Sequence, residues 1–88
     1  MRIKPEFALR YELDDIFVVR KNPDGTETEL SPISETAAMA WEGIERNIAF
    51  DALVDAIVTE FAGATKETVA ADLKALMAQL VQLGYAEE

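Results

Sequence analysis

The period of the apolar residues changes at Ile33-Ser34, and this change constrains the fold more than any other feature of the sequence. Upstream, apolar residues alternate with polar ones in three short runs, as they do in strands. Downstream they recur every three or four positions, as they do in helices. The order predicts an α+β fold in which a three-stranded antiparallel sheet is followed by three helices.

The strands are expected at residues 7–13, 16–21 and 27–33. The second is dense in β-branched and aromatic residues, which is typical of a central strand. Asn22-Pro23-Asp24-Gly25 predicts a tight turn before the third. Because Pro32 has no N–H for a ladder, the third strand should lie at an edge of the sheet. An open edge beside a helix is a place where an extended peptide can bind as an additional strand.

The helices are expected at residues 35–46, 50–62 and 66–83. Ser34 and Thr65 are placed as N-caps, and Asn47 and Gly84 as stops. Trp41 lies on the apolar stripe of the first helix, where we expect it to anchor the core. Eighty-eight residues hold one modest core and no linker divides them, so residues 1–88 are expected to form a single domain.

Composition narrows the range of functions. The chain has no cysteine and no histidine, so it lacks a thiolate, the commonest general base and the commonest transition-metal ligands. We therefore expect no enzymatic activity, no catalytic residues, no metal and no cofactor. The longest apolar runs are short and no signal peptide is visible, which predicts a cytoplasmic protein with no membrane partner.

Charge is distributed unevenly along the chain. Residues 1–21 have five basic and four acidic side chains, whereas residues 22–88 have three basic and thirteen acidic ones, and the net charge is −9. Nucleic-acid binding depends on basic contacts to phosphates, so nucleic acid is not an expected partner. The acidic excess leaves two interpretations open: a solubilising surface, or a surface that docks a basic partner.

One decamer suggests a family. The string Ile33-Ser34-Glu35-Thr36-Ala37-Ala38-Met39-Ala40-Trp41-Glu42 is similar to the first-helix signature of the pyrroloquinoline quinone synthesis protein D (PqqD-like) family. Phe7-Ala8-Leu9-Arg10 precedes it, and Phe50-Asp51-Ala52-Leu53 and Asp72-Leu73-Lys74-Ala75-Leu76 follow it with Gly84 near the end, in the family's order. The resemblance spans roughly residues 3–86.

This resemblance implies a RiPP recognition element, a small winged helix-turn-helix-like domain. Such a domain binds the leader segment of a ribosomally made precursor peptide and presents it to a modifying enzyme, often a radical S-adenosylmethionine protein. The leader adds a strand to the third strand and lies against the third helix. The candidate peptide-binding residues are then Thr28, Leu30, Val69, Asp72, Leu73 and Leu76.

The residues also allow other interpretations. Thr28 and Leu30 can belong to the sheet alone, the apolar stripe of the third helix can pack in the core, and Asp72 can be a solvated charge. Two other classes of function remain open, namely a winged-helix DNA-binding regulator and a small adaptor that homodimerises through the same edge. Monomer and homodimer are both compatible with the sequence.

Overall fold

The computed structural model describes residues 1–88. Its elements are β1 Arg2–Ile3, β2 Phe7–Glu12, β3 Asp15–Lys21, β4 Glu27–Pro32, α1 Glu35–Glu45, α2 Phe50–Glu60, α3 Lys66–Gln82 and β5 Ala86–Glu87. Strands β2, β3 and β4 form an antiparallel sheet in that order, with β3 in the centre. The predicted α+β class is confirmed, and each of the six long elements lies within two residues of its predicted bounds.

The two ends of the chain pair with each other, which the sequence did not predict. β1 and β5 form a separate two-stranded antiparallel sheet, in which Arg2 is opposite Glu87. The N–H of Lys4 donates to the carbonyl of Tyr85 at 2.9 Å. The N-terminal residues are thereby fastened to the segment that follows α3.

The helix boundaries follow from capping. Ser34 Oγ accepts the N–H of Ala37 at 3.1 Å, and Thr65 Oγ1 accepts the N–H of Thr68 at 3.3 Å. Both hydroxyls satisfy an N–H that has no partner within the first turn of the helix. Asn47 has a φ of +57° just after α1, a left-handed conformation that ends the helix.

The helices cover one face of the sheet and enclose two apolar clusters. The first contains Val18, Trp41, Ile44, Leu80 and Ala86, and the second contains Ala40, Leu53, Val54, Ile57, Val69 and Leu73. Trp41 is fully buried, which confirms its expected role as a core anchor. No helix is long and apolar enough to cross a membrane.

Candidate functional site: an open strand edge beside an apolar groove

β4 has β3 on one side and no strand on the other. Two hydrogen bonds show which of its backbone groups face β3. The N–H of Asn22 donates to the carbonyl of Thr26 at 2.8 Å just before the ladder, and the N–H of Ile33 donates to the carbonyl of Ile16 at 3.0 Å just after it. Hydrogen-bonded and non-hydrogen-bonded residue pairs alternate along an antiparallel ladder. Starting from these two hydrogen bonds, the alternation therefore shows which residues of β4 have backbone groups that point away from β3.

Counting places Glu27, Glu29 and Pro32 at non-hydrogen-bonded positions, where the backbone groups point to the open edge. No hydrogen bond within the chain uses the outward N–H and carbonyl groups of Glu27 and Glu29. Pro32 offers a carbonyl there but no N–H. These three residues therefore present two donors and three acceptors to an additional strand.

A β-bulge interrupts β4 at Leu30. Val18 is opposite Ser31 whereas Val19 is opposite Glu29, so Leu30 is the extra residue. Because Val18 belongs to the core, Ser31 faces the helices too, and its Oγ lies 3.3 Å from the hydroxyl of Tyr85. Leu30 is 38% exposed at the edge, where a bound peptide can contact it.

The opposite edge of the sheet, on β2, is partly closed by the chain itself. The N–H of Phe7 donates to the carbonyl of Lys4 at 3.1 Å. Arg10 Nη1 donates to the carbonyl of Leu9 at 3.0 Å, and the same alternation places that carbonyl on the outer side of β2. The edge of β4 has no such protection, so it is the more available of the two for another strand.

A groove of about 230 Å³ lies between the end of β4 and α3. It is lined by Val18, Ser31, Pro32, Ile33, Ser34, Ala37, Leu76, Gln79, Leu80, Leu83 and Tyr85, none of which is charged. A shallower depression continues it along α3 past Leu76 and Gln79 to Asp72 and Thr36. The open edge and the groove thus form one continuous surface, which we call the β4–α3 groove.

Three of the six predicted site residues lie on this surface. Asp72 and Leu76 line the groove, and Leu30 lies at the strand edge. Asp72 takes part in none of the ion pairs of the structure. Its carboxylate is therefore free to accept hydrogen bonds at one end of the groove.

The other three predicted residues have no access to the groove. Val69 and Leu73 are 7% and 1% exposed and pack against α2, so the structure places them in the core and not among the residues that line the groove. Thr28 accepts a hydrogen bond from Asn22 Nδ2 at 2.9 Å, and its backbone faces β3. Thr28 therefore stabilises the β3–β4 hairpin, and it is not among the residues that line the groove.

Sequence reasoning missed Gln79, Leu83, Tyr85 and Ser31. A signal for the first two existed, because positions 72, 76, 79 and 83 repeat at helical spacing and form one stripe along α3. Tyr85 follows Gly84, whose φ is +84°, and its ring lies 5.0 Å from that of Phe7 in an edge-on arrangement. Only the tertiary structure brings this ring to the groove.

The basic residues of α3 are directed to α2. Lys66 Nζ lies 3.1 Å from Asp55 Oδ1, and Lys74 Nζ lies 5.8 Å from the centroid of the Phe50 ring. Phosphate recognition needs clustered basic groups on the recognition helix. α3 does not present such a surface.

Comparisons with known proteins agree with this architecture. A family model described as Coenzyme PQQ synthesis protein D (PqqD) matches residues 24–86, most of the chain, and the chain belongs to this family. No curated protein gives a significant match. The solved structure "TbiB1 in Complex with the TbiA(beta) Leader Peptide" is similar with a TM-score of 0.73 and 22% identity, over 99% of this chain and 95% of that one. At that identity the similarity establishes the fold.

Proposed function

We propose that this chain is a non-catalytic module that binds the leader segment of a ribosomally made precursor peptide as an added strand on β4. The observation that supports this most directly is the pair of unused backbone positions, Glu27 and Glu29, beside an uncharged apolar groove. Membership of the PqqD family and a fold shared with a protein solved with a leader peptide support the same function.

Binding divides between backbone and side chains. The leader backbone bonds to Glu27 and Glu29 and ends its ladder at the carbonyl of Pro32. Successive side chains of a strand point to opposite faces, so every second leader residue enters the β4–α3 groove. There Leu76 contacts apolar side chains and Asp72 accepts hydrogen bonds.

The module itself performs no chemistry in this proposal. Holding the leader keeps the rest of the precursor at an effective concentration in the millimolar range beside a bound enzyme, for a short tether. The chain has no histidine and no cysteine, so we assign the reaction to the partner, a modifying enzyme of the radical S-adenosylmethionine class that the family resemblance implies.

A matched pair of variants at Glu29 tests the strand addition. The probes are peptides selected by mRNA display of a random library against the wild-type protein, and their affinity is measured by isothermal titration calorimetry. Glu29→Pro deletes an outward N–H, so we expect roughly tenfold weaker binding, whereas Glu29→Ala keeps the N–H and should change affinity by less than about twofold. Neither side chain nor outward backbone of Glu29 has a partner within the chain.

Two further variants separate loss of binding from loss of folding. Thr28→Pro deletes an N–H that faces β3, so it should lower the melting temperature more than Glu29→Pro does. Leu76→Ala removes part of an apolar side chain that lines the groove and should weaken peptide binding about fivefold, while thermal unfolding stays cooperative. Selected peptides that bind Glu29→Pro as tightly as the wild type would show that β4 is not the site.

A further inference from the structure

A second and larger groove lies on the other side of the connection from β4 to α1. Its volume is about 780 Å³, and it is bounded by the β2–β3 hairpin tip, α1 and the end of α2. Ile16, Ile33, Ala38 and Met39 give it an apolar floor. Five carboxylates surround that floor, from Asp14, Asp15, Glu35, Glu42 and Glu60. We call this surface the acidic groove.

The acidic groove has no positive charge of its own. No lysine or arginine lines it, and the three ion pairs of the structure use other carboxylates. Only Glu42 has a side-chain partner, the hydroxyl of Tyr11. No three of the carboxylates converge closely enough to hold a metal ion. Spaced carboxylates above an apolar floor are complementary to a peptide that alternates basic and apolar side chains.

The tip of the hairpin presents an apolar side chain that the fold does not use. Leu13 is fully exposed, and its φ is +53°. Leucine is disfavoured in the left-handed conformation, where glycine and asparagine are common. Folding therefore gains nothing from a leucine at this position, whereas a ligand in the acidic groove gains an apolar contact at its rim.

The two grooves share a border. Pro32, Ile33 and Ser34 line both, so only this connection separates the β4–α3 groove from the acidic groove. A peptide paired with β4 meets no further donor at Pro32, and its ladder ends there. The next residues of that peptide lie beside the acidic groove.

We infer that the acidic groove is a second peptide subsite, which binds a segment rich in Lys or Arg immediately beyond the segment that pairs with β4. This inference rests on the proposed function, because the strand on β4 delivers the basic segment to its subsite. The preferred precursor then combines an uncharged apolar stretch with adjacent basic residues. The uncharged apolar part of the β4–α3 groove selects the first part, and the five carboxylates select the second.

The test uses random peptides of about 16 residues displayed on mRNA. In an extended conformation, at ~3.3 Å per residue, such a peptide is longer than the 43 Å extent of the protein and can therefore reach both grooves. Selection on the wild-type protein should enrich Lys or Arg at a constant spacing from an apolar stretch. The Asp14→Asn/Glu60→Gln variant should bind the enriched peptides about fivefold more weakly, with a smaller difference at high salt. Leu13→Asn removes the apolar contact at the rim and should weaken binding of these peptides about threefold. Asparagine tolerates the positive φ at this position, so the hairpin should stay intact.

A control variant with the same charge change, Glu6→Gln/Glu45→Gln, lies outside both grooves and should bind within about twofold of the wild type. The inference is overturned if peptides that depend on Glu29 show no basic enrichment, or if they bind Asp14→Asn/Glu60→Gln as tightly as the wild type. It is also overturned if that variant dissociates a wild-type dimer in sedimentation experiments, because the occupant is then a second copy. Peptides insensitive to Glu29→Pro refute the proposed function instead.

Discussion

Replacing Trp41 by alanine and by phenylalanine should have very different effects on stability. The indole is fully buried, with its ring centroid 5.7 Å from that of Tyr85, among side chains from the sheet, α1 and α3. Its Nε1–H is buried without a hydrogen-bond partner. The side chain therefore provides much of the apolar contact in its cluster and also bears the cost of one unpaired donor.

These two contributions set the magnitudes. Trp41→Ala leaves a cavity in a small core and should lower the free energy of unfolding by about 3 to 5 kcal/mol, out of the ~5 to 15 kcal/mol typical of a domain. Trp41→Phe removes two carbons, worth about 1.6 kcal/mol at ~0.8 each, but also removes a buried unpaired N–H that costs about 1 to 3 kcal/mol. The free energy of unfolding of the phenylalanine variant should therefore lie within about 1.5 kcal/mol of that of the wild type.

Urea denaturation followed by far-ultraviolet circular dichroism measures both values. Tryptophan fluorescence is unsuitable, because Trp41 is the only tryptophan in the chain. A Trp41→Phe variant that loses nearly as much stability as Trp41→Ala would refute the argument, since the indole N–H would then have a stabilising partner. A loss below about 1 kcal/mol for Trp41→Ala would show that the indole does not occupy the core.

Two other variants test local features. Gly43→Ala places a Cβ 2.6 Å from Cδ2 of the buried Leu53. We expect this contact to lower the stability measured in a thermal melt by about 1 to 2 kcal/mol, in spite of the better helix propensity of alanine. An unchanged melting temperature would show that Leu53 moves freely. Burial and the hydrogen bond to Glu42 raise the pKa of Tyr11 to about 12 from 10.0. The folded state thus favours the neutral phenol, a contribution that is complete below pH 10 and is lost as the pH rises towards 12. An ultraviolet titration should show one tyrosinate forming near pH 12 that Tyr11→Phe abolishes, and its persistence in that variant would refute the assignment to Tyr11.

The elements that sequence reasoning located correctly are those with local signals. Ser34 and Thr65 cap their helices through their own hydroxyls, and Asn47 ends α1 through its own backbone conformation. Pro32 predicted an edge strand because the missing N–H is a property of the residue itself. In each case the deciding interaction lies within a few residues, so the sequence contains it.

The features that sequence reasoning missed depend on distant residues. β1 and β5 have two residues each, which is too short for alternation to be recognised, and they join opposite ends of the chain. The bulge at Leu30 shifts by one residue the alternation that decides which side chains of β4 face the helices, and the periodicity of β4 alone does not show this shift. The direction of the Thr28 backbone likewise depends on its pairing with Arg20 of β3, which the residues of β4 do not show by themselves.

The apolar residues of α3 illustrate a second limit. Leu73 and Leu76 are both leucines on one amphipathic helix, yet Leu73 is 1% exposed beneath α2 while Leu76 lines the groove. Helical spacing defines the apolar stripe but does not show how far the neighbouring elements cover it. Which residues of the apolar stripe of α3 stay uncovered depends on where α2, the end of β4 and Tyr85 lie around that helix.

Under the proposed function, the few hydrogen bonds that β4 can offer determine how the affinity for a peptide is divided between backbone and side chains. Two donors and three acceptors allow at most five hydrogen bonds, a net of roughly 2.5 to 7.5 kcal/mol at 0.5 to 1.5 each. Association costs at least about 4 kcal/mol, while a micromolar complex needs about 8 kcal/mol net. The backbone alone therefore cannot hold a leader at micromolar affinity, and apolar burial against Leu76, Leu80 and Leu83 must supply the difference. Because backbone bonds do not distinguish sequences, a short ladder makes binding depend on side chains. If a peptide binds there as proposed, the end of the ladder at Pro32 favours selectivity for one peptide sequence over general affinity for extended peptides.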